Sequence, residues 1–271
     1  MKPAANDSVI VERHPGEQGD ILEIVINRPH VMNCIDGETA RHLLDAWERF
    51  RKDDGLAVAI LRSEGNQAFS AGADLKALNE LVKLDASDEE VETMIREGTG
   101  PLGGTRILQK KPVITIAQGH TYAGGLELYC HGHIRIAERQ SLFSVSCRRW
   151  GVPLVDGGTV LLPRLLGWGS ALPLLITGQR IDAMRAYQIG LVWELVEAGE
   201  GRARALSMAT QIAGLPQSAL RADLSSALEG HHLDINSAFI LEAESIYPVV
   251  RSKEMEGGVA AFRAGDRSWF T

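Results

Sequence analysis

Two glycine-bearing segments set the frame for this chain: Phe69-Ser70-Ala71-Gly72-Ala73-Asp74-Leu75 and, after Lys111-Pro112-Val113-Ile114, the run Gly119-His120-Thr121-Tyr122-Ala123-Gly124-Gly125-Leu126-Glu127-Leu128. Each puts small residues between an extended stretch and a helix start. Small side chains there let a backbone N–H approach a ligand closely, and a helix N-terminus adds partial positive charge where the amide points. Two such amides suit one developing oxyanion. Taken singly, either segment also reads as an ordinary tight turn.

The flanking pattern is one of alternating strands and helices. Ile21 to Asn27 reads as a short apolar strand closed by Asn27-Arg28-Pro29, and Asp36 caps a helix whose Leu43, Leu44, Trp47 and Phe50 share a face. A strand at Ala57 to Arg62 and a turn at Ser63 to Gln67 lead into the first glycine segment, where Asp74 begins a helix with Leu75, Leu78 and Leu81. Asp85 to Gly104 is acidic, then glycine-rich. The order repeats with strand Val113 to Ala117, the second glycine segment, a helix over Gly124 to Cys130, strand Ile134 to Ala137 and an extended piece at Leu142 to Val145. Asp182 caps a further helix ended by Gly190, Leu191 to Val196 reads as a last strand, and only helices follow Glu200. This predicts an α/β core over residues 1–200 and a closely attached helical region over 201–271.

Composition narrows the function classes. A 45% hydrophobic content over 271 residues supplies a full core. A net charge of -7 with no sustained basic run argues against a nucleic-acid footprint. Cys34, Cys130 and Cys147 have neither paired nor metal-type spacing, so a reducing, cytoplasmic setting is expected. The stretch from Met1 to Gly19 is polar and predicts no secretory or transit signal. The most apolar region, Val160 to Gly178, is interrupted by Pro163, Arg164, Gly167 and Pro173, which argues against a membrane span. His120, His131 and His133 lack a carboxylate spaced to complete a metal site, so no metal is expected.

In joint order, Ile26-Asn27-Arg28-Pro29 with Asn33, Phe69 to Asp74, Lys111-Pro112-Val113-Ile114, Ala123 to Leu128, and Gly157-Gly158-Thr159 with Leu162-Pro163-Arg164 resemble the crotonase, or enoyl-CoA hydratase/isomerase, superfamily. The match runs from about Ile21 to Val196. The resemblance implies an α/β spiral of strand-strand-helix turns with a C-terminal helical region. It also implies a homotrimer or dimer of trimers and an acyl-CoA thioester as partner, with coenzyme A part of the substrate and no separate cofactor. On matching positions the oxyanion amides are those of Ala73 and Gly124, and Glu127 is one of two glutamates used by enoyl-CoA hydratases. The same resemblance assigns substrate contacts to Arg28, Ala71, Gly72, Asp74, Leu75, Lys76, Gly125 and Trp150, and a pocket-shaping role to Gly98 to Gly104.

Three departures qualify that expectation. The second glutamate position holds Cys147 within Ser146-Cys147-Arg148-Arg149-Trp150, and a thiol of ordinary pKa near 8.5 is a poor substitute for a tuned carboxyl group. Cys147 is open to two readings, a reactive nucleophile or a small buried apolar residue. Asp156 lies one residue beyond the position where dienoyl-CoA isomerases and aryl-CoA dehalogenases of the superfamily carry an aspartate. It reads either as a partner of Glu127 or as a turn residue before Gly157-Gly158. Where many relatives end on a lysine-rich helix tip, this chain offers Arg263 or Arg267. Enoyl-CoA hydration in fatty acid metabolism is therefore the leading activity. A single-carboxylate isomerisation or decarboxylation, or acyl-CoA binding without catalysis, stand as the alternatives.

Overall fold

A computed structural model describes residues 7–265. Two sheets carry the fold. The larger orders its strands β1 (Val9–His14), β2 (Asp20–Ile26), β3 (Leu56–Ser63), β5 (Val113–Ala117), β7 (Ile134–Glu138) and β10 (Glu194–Val196), parallel except for the β1–β2 pair. The smaller orders β4 (Ala68–Ser70), β6 (His120–Tyr122), β8 (Leu142–Ser144) and β9 (Ile181–Asp182), antiparallel only between β8 and β9. Each of β3, β5 and β7 is followed within a few residues by a strand of the smaller sheet and then by helix. This is the strand-strand-helix spiral expected from the sequence.

The reason for two sheets lies in burial. Strand β3 is buried at nearly every position and β5 throughout, so neither face of the larger sheet is left to water. Helix α1 (Gly37–Lys52) places Leu43, Trp47 and Phe50 against one face, with Asp36 accepting the Thr39 N–H at its N-cap. On the opposite face lies α8 (Gly201–Gly214), whose Ala205, Ala209 and Ala213 form one stripe against Val58, Ile60, Ile114 and Ile136. A buried ion cluster fastens this helix. Glu23 on β2 accepts from Arg62 Nε at 2.5 Å and Arg202 Nε at 2.7 Å, with His14 Nε2 2.7 Å away, and against the opposing effect of burial the hydrogen bonds from the two guanidiniums chiefly hold its carboxyl down at about 2.

Several elements are absent from the sequence reading. Strand β1 is a half-exposed edge strand whose polar residues Glu12, Arg13 and His14 mask it, and it exists through antiparallel pairing with β2. The acidic stretch folds in part as α3 (Asp88–Glu97), started by a capping box between Ser87 and Glu90, a Ser-x-x-Glu signal visible in the sequence. The proline-broken apolar region forms α5 (Gly158–Leu166) and α6 (Trp168–Thr177). The Asp74 helix is a 3-10 turn over Leu75–Ala77 continuing into α2 (Leu78–Val82). Helix α4 (Gly124–Cys130) and helix α7 (Ala183–Gln188) fall where expected. Helices α9 (Gln217–Gly230), α10 (Ile235–Val250) and α11 (Lys253–Arg263) complete the described chain.

Asn33 locks the first glycine segment in place. It is buried in the left-handed region at φ 54°. Its Nδ2 donates to the carbonyls of Glu64 at 2.9 Å and Ala68 at 2.8 Å, and its Oδ1 accepts the Arg28 N–H at 2.8 Å. Ser70 Oγ donates to the Asn33 carbonyl and accepts the Gly72 N–H. Replacing Asn33 by Ala strands these buried carbonyls, so the unfolding free energy from a denaturant titration should fall by about 2–3 kcal/mol. A loss under about 0.5 kcal/mol would show that the network does not carry the loop.

Candidate active site

The two glycine segments meet. Gly72 takes φ 95°, and a Cβ there would stand 2.7 Å from the Gly124 nitrogen, so a side chain is excluded on both conformational and steric grounds. Gly125 backs onto the Ser70 carbonyl in the same contact. Ile35 bridges the segment by donating to the Gly72 carbonyl and accepting from Asp74, which leaves the Ala73 N–H outside the bridge. Gly124 is the first residue of α4, where no intrahelical acceptor exists for its N–H. Ala123, which precedes it, is held at φ 49°, a costly conformation for a residue with a Cβ. Among the described residues neither the Ala73 nor the Gly124 amide has a backbone acceptor.

Both amides face a cleft of ≈ 690 Å³, within the size range of small-molecule sites. Its walls are mostly apolar, formed by Leu75, Leu78 and Leu81 on one side and Val152 to Val155 on the other. Glu127 enters it from one turn into α4. The carboxylate is buried, and its Oε1 accepts the N–H groups of Asp156 at 2.9 Å and Gly158 at 2.7 Å. Burial pushes the carboxyl up to about 7 against the pull of the Gly158 amide, with the Asp156 charge adding to the rise. A carboxyl group so poised exchanges protons near neutral pH.

Cys147 lines the same cleft on the 3-10 helix Ser146–Trp150. Burial pushes its thiol up and the Glu127 charge adds to the effect, although Arg148 opposes it. The net shift disfavours the thiolate form. Cys34, Cys130 and Cys147 are all free.

Asp156 also lies at the cleft, and one of its two carboxylate oxygens is engaged: Oδ1 accepts the Leu102 N–H at 2.9 Å and the Thr105 hydroxyl. Its backbone N–H goes to Glu127 and its carbonyl faces His131 Nε2 at 3.2 Å. Asp156 thus joins the Gly98 to Thr105 loop to the Glu127 carboxylate. Leu102, held this way, packs directly over Gly124.

Of the other expected contacts, Ala71, Asp74, Leu75, Lys76 and Trp150 line the cleft, Trp150 with 74% of its surface exposed. Arg28, Gly72 and Gly125 stand behind the wall. Arg28 is engaged by Asp36 at 2.8 Å, Asp74 at 3.6 Å and the Cys34 carbonyl. Arg263 is exposed at the end of α11, and Arg267 lies outside the described residues. Sequence reasoning passes over Cys34, Tyr122 and the apolar side chains of α2 as wall residues. The Leu75, Leu78, Leu81 spacing was the available signal, but it reads as core packing.

The histidines have separate roles: His133 Nδ1 accepts the Val113 N–H, and His131 serves the Asp156 carbonyl. Among the described residues, the one group of His and carboxylates close enough to share an ion is Glu12, His14 and Glu23, where Arg62 and Arg202 already neutralise Glu23. No helix among them is long and apolar enough to cross a membrane.

Comparison with known proteins places the spiral fold directly. The family described as enoyl-CoA hydratase/isomerase matches residues 16–269, and the chain belongs to that family. It is 30% identical over 262 residues, 95% of each chain, to a crotonyl-CoA hydratase of Syntrophomonas wolfei. It is 28% identical, over 94% of each chain, to a short-chain-enoyl-CoA hydratase of Clostridium acetobutylicum. The solved enoyl-CoA hydratase of Mycobacterium tuberculosis H37Rv superimposes with a TM-score of 0.85 at 31% identity, covering 97% of this chain and 98% of that one.

The Asp156 bonds generate a test. Asp156→Ala should lower the unfolding free energy by about 2–3 kcal/mol, whereas Asp156→Asn, which keeps Oδ1 as an acceptor, should lose under about 1 kcal/mol. Equal losses in chemical denaturation would show that the carboxylate's charge, and not its bonds to Leu102 and Thr105, matters here.

Proposed function

We propose that the protein is an acyl-CoA enzyme of the enoyl-CoA hydratase type, a lyase adding water to 2-enoyl-CoA thioesters in fatty acid or related carboxylic acid metabolism. The observation carrying this reading is the convergence of the Ala73 and Gly124 amides at a cleft whose carboxylate, Glu127, is poised at about 7. The thioester carbonyl oxygen sits between the two amides, which stabilise the charge that builds on it as an enolate forms; one such donor is typically worth roughly 100- to 1,000-fold in rate. As carboxylate, Glu127 takes a proton from water while the hydroxyl adds to the β carbon. As carboxylic acid, it returns that proton to the α carbon, so one water is consumed and Glu127 ends as it began. Cys147 forms part of the wall as a neutral thiol. Coenzyme A enters with the substrate, held against Ala71 to Lys76 and Trp150.

A second reading has specific support. Asp156 Oδ1 is tied to Leu102 and Thr105, which favours Glu127 as the carrier of protons, and a double-bond shift needs a single carrier. Ultraviolet loss of the enoyl-thioester absorbance on crotonyl-CoA, with product mass, separates the two: a gain of one water supports hydration, and an unchanged mass with a moved double bond supports isomerisation. Glu127→Gln should reduce kcat by roughly 100- to 10,000-fold. Because the carboxylate form accepts the first proton, the wild-type rate should rise as pH climbs through about 7 and then level. Wild-type rates in the Glu127→Gln variant would remove Glu127 from the mechanism.

Residues 201–271 are assigned in this reading to assembly, as a trimer or dimer of trimers, beside a site-bearing core over 1–200. In support, the C-terminal helices present Ile235, Phe239, Ile240 and Tyr247 with 60–66% of their surfaces exposed. Sedimentation of the intact chain should give a multiple of three times its mass, and a monomer would overturn the assignment.

A further inference from the structure

His131 follows Glu127 by one helical turn on α4, and the backbone is still helical there, so both side chains leave the helix on one face. Both reach the same turn. Glu127 Oε1 accepts the N–H groups of Asp156 at 2.9 Å and Gly158 at 2.7 Å, and His131 Nε2 lies 3.2 Å from the Asp156 carbonyl. A carbonyl oxygen can only accept, so the proton of this last bond is on Nε2. The contacts fall on three successive peptides. Glu127 holds the Val155–Asp156 and Gly157–Gly158 peptides, and His131 holds the Asp156–Gly157 peptide between them.

The middle peptide is the one that local sequence leaves free. Gly157 takes φ 102° and ψ −2°, the third-position values of a type II turn. Turning over the peptide ahead of it leads to a type I turn, and glycine accepts either arrangement. Two amides converge on one oxygen only while the rotations at Asp156 and Gly157 are fixed. His131 supplies that restraint at the middle peptide, and the Asp156 side chain is tied separately through Oδ1 to Leu102 and Thr105. The turn presses on Glu127 closely: a Cβ on Gly158 would stand 2.9 Å from Glu127 Cγ.

Trp47, Leu61, Val113 and Leu128 line one small cavity with His131. Burial lowers the basicity of the imidazole, against the opposing bond to the Asp156 carbonyl, so the ring donates as a neutral group at pH 7. The titratable groups bearing on Glu127 are Asp156 on the turn, Cys130 on α4 and Cys147 on the 3-10 helix. His133 bears on His131, and Arg106 on Asp156.

We propose that His131 is a positioning residue for the Glu127 carboxylate, holding the Asp156–Gly157 peptide so that the two flanking amides stay aimed at Oε1. The inference deepens the acyl-CoA reading above and rests on it for its kinetic test. His131 touches no substrate. It acts through the turn, keeping the amides in place while Glu127 gains and loses its proton.

The pH profile of kcat on crotonyl-CoA tests this. His131→Leu keeps an apolar side chain but removes the donor. The charged form of Glu127 then loses hydrogen bonding, and the inflection near 7 should move up by about one unit. At pH 7 kcat should fall about fivefold, and it should converge on the wild-type value above about pH 9, where the carboxylate predominates in both. His131→Gln, whose amide nitrogen can take the place of Nε2, should keep the wild-type profile. A loss of packing alone would not move an inflection. An unmoved inflection in His131→Leu, or a His131→Gln profile displaced just as far, overturns the positioning role while leaving the hydratase reading intact. If no enoyl thioester turns over, that reading fails, and NMR titration of the Glu127 carboxyl resonance decides the role separately: an upward shift in His131→Leu restored in His131→Gln supports it, and coincident curves overturn it. The ring-nitrogen NMR spectrum of the wild-type protein needs no variant, and a His131 ring protonated on Nδ1 alone would also overturn the proposal.

Discussion

The contact between Gly72 and Gly124 is the constraint on which the site depends. Two segments far apart in sequence approach until no Cβ fits between them, and this closeness sets two amides side by side. The surrounding structure is arranged to hold them there. Asn33 and Ser70 fix the first segment through buried hydrogen bonds, and the Ile35 bridge directs the Gly72 carbonyl and Asp74 N–H away while leaving the Ala73 N–H free. The helix start at Gly124 supplies the second donor, and the Ala123 conformation that aims it is one a side-chain-bearing residue adopts only when packing enforces it. Donors fixed in advance need no reorganisation as charge develops, which is the physical basis of their value in catalysis.

The same local packing tunes the Glu127 carboxyl. Glu127 lies on the helix that begins at Gly124, so the separation of its carboxylate from the Gly124 amide is set by one turn of helix and not by a flexible loop. Burial raises its carboxyl, and the Asp156 and Gly158 amides stop the rise near neutrality. Asp156 therefore contributes through backbone to Glu127 and through side chain to the loop that packs over Gly124. Cys147 lines the cleft on the 3-10 helix Ser146–Trp150, and burial disfavours its thiolate form.

Much of this was legible in the sequence, because the signals are local. The strand-turn-helix order around Phe69 to Leu75 and Val113 to Cys130, the Asp36 and Asp182 caps, and the apolar face of α1 each depend on residues within a few positions of one another. Strand β1 was hidden because an edge strand with charged residues forms only when its partner is present. Helix α3 was hidden by its acidity although its capping box stood in the open. The α2 stripe was legible as amphipathic but not as a cleft wall, since periodicity tells which face turns inward and not whether that face meets protein or a cavity.

By itself the sequence determined the family, the two candidate amides and the candidate carboxylate, because each rests on residue type and spacing along one continuous segment. Only the tertiary structure decided what Asp156 binds, where Arg28 is spent and where the cleft opens. A carboxylate's partner is set by which loop packs within hydrogen-bond reach, and Leu102 and Thr105 reach Asp156 across 54 and 51 positions of chain. A cavity has no sequence signature at all, being the space that packed elements fail to fill.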